Sequence, residues 1–277
     1  MPFRTSMAKP PCSTAWRYEP SRAMVTPLMN PAEYANIARS ERDFWWYRGM
    51  RQILFHLLDR YLAGRPITRV LEAGCGTGYF SWLLQNQRHW PVVPMDISPD
   101  GLRYARQMGV ERMVQGDARN LPFATGAFDL VLSLDMLVHL PRGTELAAAR
   151  EMTRVLRRGG LLVVRTPALE LLRSRHSEFV GERQRFTRRR LAELFSGPSL
   201  KVLRATYANS LLLPLALAKF RLWEPLLRAP ASSGVEPVAP WLDRLLYAPL
   251  AVEAAWMRMG GNLPIGQSVL LVGEKVD

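Results

Sequence analysis

Short apolar runs alternate with stretches of helical periodicity along residues 70–167 of this 277-residue chain. Residues 70–73 read VLEA, 91–98 PVVPMDIS, 114–117 VQGD, 128–134 FDLVLSL and 161–167 LLVVRTP. Apolar, β-branched runs of this length, bounded by Gly, Pro or Asp, predict buried strands. Between them lie amphipathic segments that predict helices. Ser98-Pro99 supplies one start, Ser as N-cap and Pro at the first helical position. The last segment, ELAAAREMTRVLRRGG, is expected to end on Gly159-Gly160 as a C-cap. Pro94 lacks a ladder donor, so its strand should carry a bulge or a missing hydrogen bond. The order β-α-β-α-β-β-α-β predicts an α/β fold with a parallel sheet and helices on both faces. QSVLLVG (267–273) reads as a final strand returning to that sheet.

The flanks add elements of their own. Asn30-Pro31-x-Glu33 is a capped start, opening a cap helix within 30–66 that carries FWWYRGMRQILFHLLDRYL. Adjacent Trp45, Trp46 and Tyr47 cannot share one helical face, so some should pack on the core and others on a second partner. Residues 1–29, rich in Pro, Ser, Thr and Arg and without an apolar signal core, read as a disordered or extended tail. The core should run over 67–207, with a substrate-side segment at 168–195. An apolar helical insert (208–264) and a closing strand (265–277) follow.

The first strand runs into Gly74-x-Gly76-x-Gly78, a turn on which a ligand can press against bare main chain. A dinucleotide loop wants G-x-G-x-x-G. Counting six from Gly74 reaches Tyr79, and from Gly76 reaches Ser81, so neither register fits. Glu72 would also repel a pyrophosphate, whereas a carboxylate there suits a cation. A nicotinamide oxidoreductase is therefore the weaker of two alternatives. The second strand ends in Asp96, 24 residues after Glu72. An acid about 20 residues on is where ribose hydroxyls are taken.

E-x-G-x-G-x-G at a first strand, followed by Asp96 and then Gly116-Asp117-Ala118, resembles the class I S-adenosylmethionine-dependent methyltransferases. The resemblance implies a Rossmann-like methyltransferase sheet and S-adenosyl-L-methionine as cofactor. It would be held by Glu72, Gly74, Gly76, Gly78, Asp96, Ile97, Asp117, Ala118 and Leu134, with Tyr47 or Arg48 near the methionyl carboxylate. Outside the core the chain is similar to a bacterial, type 11-like branch of that superfamily. The match runs through Trp45, Trp46, Tyr47, Arg48 and Arg51, then His176, Gly181, Arg185, Phe186 and Thr187, then Tyr207, Asn209 and Pro214. The branch's acid before the post-strand-four histidine is Val138 here. Its aspartate after the later histidine is Ser177, and its "GH" histidine is Glu182. Those departures fall on the substrate side. His139, His176 and Glu182 are the candidate acid–base residues, and Arg183, Arg185, Tyr207 and Asn209 the candidate substrate contacts. No metal site is expected.

The net charge of +13 is uneven. Residues 157–190 hold ten arginines against three glutamates. An anionic small molecule, anionic lipid or nucleic acid would each suit such a face. The resemblance implies in-line methyl transfer to a small-molecule, lipid-linked or saccharide-like acceptor, and a nucleic-acid (RNA) methyltransferase is the first alternative. It is disfavoured because base-amine chemistry uses an (N/D)-P-P-(F/Y) turn where this chain has S-L-D-M, and neither Cys12 nor Cys75 is placed as a nucleophile. Two cysteines without metal spacing fit a reducing cytoplasm. The insert's longest uncharged stretch, 208–218, is too short for a span of about 20 residues. Three readings stand for the insert: a lid over a lipid-like substrate, a homodimer contact, or a peripheral contact with the cytoplasmic membrane face. Six basic and six acidic residues cancel over 208–277, which weakens the last.

Overall fold

The computed structural model describes residues 29–227, 230–235 and 238–277. The expected N-terminal tail, Cys12 and part of the linker in the insert lie outside the described residues. α1 (Pro31–Ser40) begins as its sequence demands, the Asn30 side chain accepting from Ala32 N at 3.1 Å. The single cap helix expected from 30 onward is two helices, because α2 starts afresh at Trp45 and runs to Leu62. The break is held by Arg51, whose guanidinium takes the carbonyls of Glu41 and Arg42. These are carbonyls a helix end leaves without partners.

The core then runs β1 (Val70–Ala73), α3 (Tyr79–Gln87), β2 (Val92–Asp96), α4 (Pro99–Gln107), β3 (Val114–Gln115), β4 (Phe128–Leu134), α5 (Glu145–Val155) and β5 (Leu156–Pro167). After it come α6 (Arg175–Val180), α7 (Arg188–Phe195), β6 (Leu200–Ala208), α8 (Leu213–Ala218), α9 (Glu224–Leu227), α10 (Pro240–Arg258) and β7 (Ser268–Lys275). A π-helical turn, Lys219–Trp223, joins α8 to α9. The seven strands lie in the order β3-β2-β1-β4-β5-β7-β6, with β7 antiparallel to both neighbours. This is the α/β, helix-covered sheet the pattern predicts, with the last strand returning as expected.

Two details differ from the pattern. Gly159-Gly160 is not a helix cap. β5 begins at Leu156, and the register slips between Leu156 and Leu161 opposite β4, so the glycines sit at an irregularity inside the ladder. Arg157, reaching Asp129, pins that irregularity. Pro94 causes no bulge, since β1 and β2 pair in register from Val70↔Val92 to Ala73↔Met95. Val70 N bonds Pro91 O and Gly74 N bonds Met95 O, so odd-numbered β2 residues face β1. The Pro94 nitrogen therefore faces β3, whose pairing starts only at Met95.

Alternation along the strands feeds two apolar layers. Leu71, Val131, Leu162, Val164 and Leu271 pack with Ala148 and Met152 of α5 and Leu191 of α7. Val70, Leu130, Leu132, Val163 and Leu270 pack with Ile53, Leu54 and Leu57 of α2 and Met257 of α10. α10 lies so close on α2 that a Cβ at Gly49 would stand 2.4 Å from Leu250 Cδ1. The insert is thus two parts: an arm, α8 to α9, and a helix that completes the core. Removing all of 208–264 would strip α2 of a buried partner.

Candidate active site

The carboxyl ends of β1, β2, β4 and β5 open into one cavity of about 810 Å³. Crevices at strand carboxyl ends are where open α/β sheets bind ligands. On the floor the loop Gly74–Thr77 leaves β1, with Gly74 at φ +80 and Met136 directly above it. A Cβ at Gly74 would sit 2.4 Å from Met136 Cγ, so a side chain is excluded twice over.

Two carboxylates are buried beside this loop. Glu72 is 2% exposed and accepts from Ser81 Oγ; burial pushes its carboxyl up to about 7, against that bond. Asp96 is 7% exposed and accepts from Gly76 N and Ser98 N, each at 2.8 Å; burial raises it as well. Neither is ion-paired among the described residues. Leaving carboxylates unneutralised at this depth is costly, so the site is built for a ligand bringing positive charge and hydroxyl donors. Cys75 faces the same cavity, but burial holds its thiol well above the ordinary value, which leaves it a small inert residue.

The two N-terminal helices close one side. Glu41 Oε2 accepts from Thr77 Oγ1 at 2.5 Å, tying the end of α1 to the glycine loop. Burial pushes the Glu41 carboxyl up to about 7. Tyr34 lies over Gly76 and Gly101, and its hydroxyl is raised by burial and by Asp96. Phe44, Trp45, Trp46 and Tyr47 all line the cavity, and of the trio Trp46 also packs on the core layer under α2, so core and cavity wall share these side chains. The start of α2 is itself the wall, and residues on different faces of its first turn meet the same space.

The wall that meets the start of α2 is acid–base. Arg165 rises from the end of β5, 7% exposed, and binds Asp135 at 2.5 Å while its guanidinium lies 5.0 Å from the Trp46 ring. Arg185 binds Glu182 at 2.8 Å, and both are buried. His139 and His176 face the same cavity, each with a buried Nδ1 that has no hydrogen-bond partner. Burial lowers the His139 pKa, against Glu182 and Asp135, which favour its charged form. Leu212, Leu215, Ala216, Phe220 and Trp223 of the arm roof the space.

Of the sequence-predicted residues, the cavity gathers Tyr47, Glu72, Gly74, Gly76, Asp96, Leu134, His139, His176, Glu182 and Arg185. Others stand elsewhere. Arg48 binds Asp243 at 2.7 Å and lies over the Tyr247 ring, facing α10 rather than the cavity. Gly78 is the N-cap of α3, behind the lining. Ile97, Asp117 and Ala118 are outside the lining, and Asp117 is bound by Arg119 at 2.6 Å; burial opposes but Arg119 prevails, so its pKa is lowered. Arg183 is exposed, in a separate groove beside Asn30 and Phe179. Tyr207 is buried, its hydroxyl accepting from Arg188 N at 3.0 Å, and Asn209 is buried where the chain leaves β6. Neither reaches the cavity.

Sequence reasoning placed Arg51 in the matching motif without giving it a site role, and passed over Arg165. Arg51 is four residues after Tyr47 and shares its helical face, whereas Arg48 points about 100° away. Arg165 was announced by a charge inside an otherwise apolar strand.

Residues 71–164 match the family described as "Methyltransferase domain". The chain is 37% identical over 158 residues to malonyl-[acyl-carrier protein] O-methyltransferase of Herminiimonas arsenicoxydans, covering 55% of this chain and 57% of that protein. It is 32% identical over 154 residues to ubiquinone biosynthesis O-methyltransferase of Xanthomonas oryzae pv. oryzae, covering 50% and 63%. The chain spans about half the length of the curated relatives it matches. Among solved structures, phospholethanolamine N-methyltransferase 2 of Haemonchus contortus has a TM-score of 0.55 at 16% identity, over 89% of this chain and 58% of that one. That likeness is one of fold alone.

Proposed function

We propose that the chain is a class I S-adenosylmethionine-dependent methyltransferase, a reading supported by the match of residues 71–164 to the methyltransferase-domain family. On that footing we propose that it transfers a methyl group from S-adenosylmethionine to a small or lipid-like acceptor with an uncharged polar head. One observation carries the reading. A single cavity joins the glycine loop and two unneutralised carboxylates to an acid–base wall under an apolar roof.

When bound, S-adenosylmethionine supplies a sulfonium methyl that is already a strong electrophile. Asp96 would accept from the ribose hydroxyls, and Glu72 would balance the positive charge. Gly74 and Gly76 would let the main chain approach, and Leu134, which lines the cavity, would flank the bound group. Arg51 faces the methionyl carboxylate from the same helix face as Tyr47. The protein's main work is holding donor and acceptor at attack distance, worth up to roughly 7–11 kcal/mol in ideal cases. His139 takes the proton as an acceptor hydroxyl is methylated. Its buried Nδ1 lacks a partner, and burial keeps the ring neutral and able to accept. Glu182 and Asp135 favour the imidazolium that results.

An uncharged head would suit the part of the cavity faced by the buried Arg165 and Arg185, which already hold Asp135 and Glu182. The roof of Leu212, Leu215, Phe220 and Trp223 suits an apolar body. Methyl-tritiated cofactor incubated with fractionated extract tests this. Label in the organic-soluble or small-molecule pool supports it, and label in RNA or DNA rejects it.

Cofactor affinity should depend on pH through Glu72. Its carboxyl titrates at about 7 in the free protein, raised by burial from 4.5. Only the ionised form balances a cation, so affinity should fall about tenfold per unit below pH 7 and level off above it. The free protein shows the opposite sign. Its native state holds the Glu72 proton that the unfolded chain loses near 4.5, so this contribution to stability fades as pH rises from 4.5 through 7. Calorimetry across that window checks both, with Glu72→Gln removing its share of the slope and leaving that of Glu41, whose carboxyl burial also pushes up to about 7.

Arg48 and Arg51 should separate cleanly. Arg51→Lys should raise the cofactor dissociation constant about tenfold, since a planar fork on a carboxylate is lost. Arg48→Ala should leave it unchanged and cost about 1 kcal/mol of stability in its half-exposed pair with Asp243. Paired calorimetric titrations and thermal melts decide this.

A further inference from the structure

α10 has two apolar faces. One, with Leu250, Ala254 and Met257, is buried against the core. The other carries Trp241, Leu245, Val252, Trp256 and Met259, each between 48% and 73% exposed. These positions recur at three, four or seven residues, so they form one stripe along the solvent side.

The charges on the helix are sorted just as strictly. Asp243 turns inward to Arg48 and Trp45 N, and Glu253, 1% exposed, turns inward to Ser210 N and Leu211 N. Arg244 and Arg258 stay exposed. α10, neutral by count with two acids and two arginines, is therefore not neutral by face. The outer surface of α10 presents tryptophan, aliphatic side chains and arginine, with no acid among its exposed residues. Tyr247, by contrast, is turned inward onto Gln52.

The neighbouring arm repeats the arrangement. Leu222, Trp223 and Leu226 are 63–79% exposed beside exposed Lys219 and Arg221, while its acid, Glu224, is taken by Arg175 N. Trp223 and Leu215 also line the cavity, so the exposed apolar surface reaches the cavity mouth.

From this sorting of charge we propose that the outer face of α10, with the adjoining arm, docks on an anionic lipid bilayer surface. No helix among the described residues is long and apolar enough to cross a membrane. A helix with an apolar stripe bearing tryptophan and flanked by arginines lies in the interfacial plane instead. The arginines add electrostatic attraction, about 1 kcal/mol each. The inference rests on the surface alone and not on the methyl-transfer reading.

The full chain, without cofactor or acceptor, is sedimented with phosphatidylcholine vesicles and with vesicles of phosphatidylcholine and phosphatidylglycerol. Partition onto the anionic vesicles is expected, weakened by salt. Arg244→Glu with Arg258→Glu should lower it by more than the roughly fivefold that loss of each single charge is worth. Trp241→Glu with Val252→Glu should lower it on the order of tenfold or more. Both positions are exposed, so thermal melts and cofactor titration of these variants should match the parent chain. Equal partition onto neutral vesicles, no partition onto either, or a lipid-free dimer that Trp241→Glu with Val252→Glu dissociates would each overturn the proposal. The last outcome would make the face a contact between copies of this chain.

Discussion

Asp96→Ala is expected to weaken S-adenosylmethionine binding by about two orders of magnitude, with the fold retained. The carboxylate would accept from two ribose hydroxyls, and hydrogen bonds to a charged group contribute about 1.5–3 kcal/mol each. In the free protein it already accepts from Gly76 N and Ser98 N at 2.8 Å, so it also shapes the glycine loop. Alanine removes both roles. Asp96→Asn keeps the size and one acceptor and should recover part of the loss. Because burial raises the Asp96 pKa, the unliganded variant loses a costly buried carboxyl and should melt no lower than the parent. Calorimetric titration with the cofactor is the measurement. Unchanged affinity in the alanine variant would sink the assignment of the whole carboxylate pair.

His139→Ala is the second large effect, and it falls on turnover. General-base help is worth about 10²- to 10⁴-fold, and the variant should lose at least the lower figure in kcat. Cofactor affinity should not move, because the cofactor-side carboxylates are Glu72 and Asp96, whereas His139 lies among Glu182, Asp135 and His176. The pH profile gives the sign. The ring must be neutral to accept a proton, so activity falls as acid protonates it. Burial lowers its pKa below 6.5, which places the acid limb of the parent enzyme further down than for an exposed histidine. The variant should lose that limb. A variant that keeps both limb and turnover would leave His176 as the proton acceptor, since its Nδ1 is equally without a partner.

Several contacts set which residues join the site, and they were not all readable in the same way. The glycine loop, Glu72 and Asp96 are legible in sequence because strand, turn and helix follow one another within a few residues. Their chemistry is local. Arg48 and Arg51 show the limit. Both lie on one helix, and only the position of α10 decides that Asp243 captures the first while the second faces the cavity. Tyr207 and Asn209 belong to a matching motif, yet they are buried where β6 ends and serve the join between strands.

By itself the sequence determined the alternation of strands and helices, the cofactor loop and the acid that follows it, since each depends on neighbours a few positions apart. Tertiary structure alone decided the rest. The ion pair Asp135–Arg165 joins residues 30 apart along the chain and neutralises charges that a count along it leaves free. The facing of α10 does the reverse, turning its acids inward and its arginines outward, so that a segment neutral in composition presents a basic, apolar surface. Burial and pairing depend on which elements meet across the fold, and that is fixed by packing rather than by local pattern.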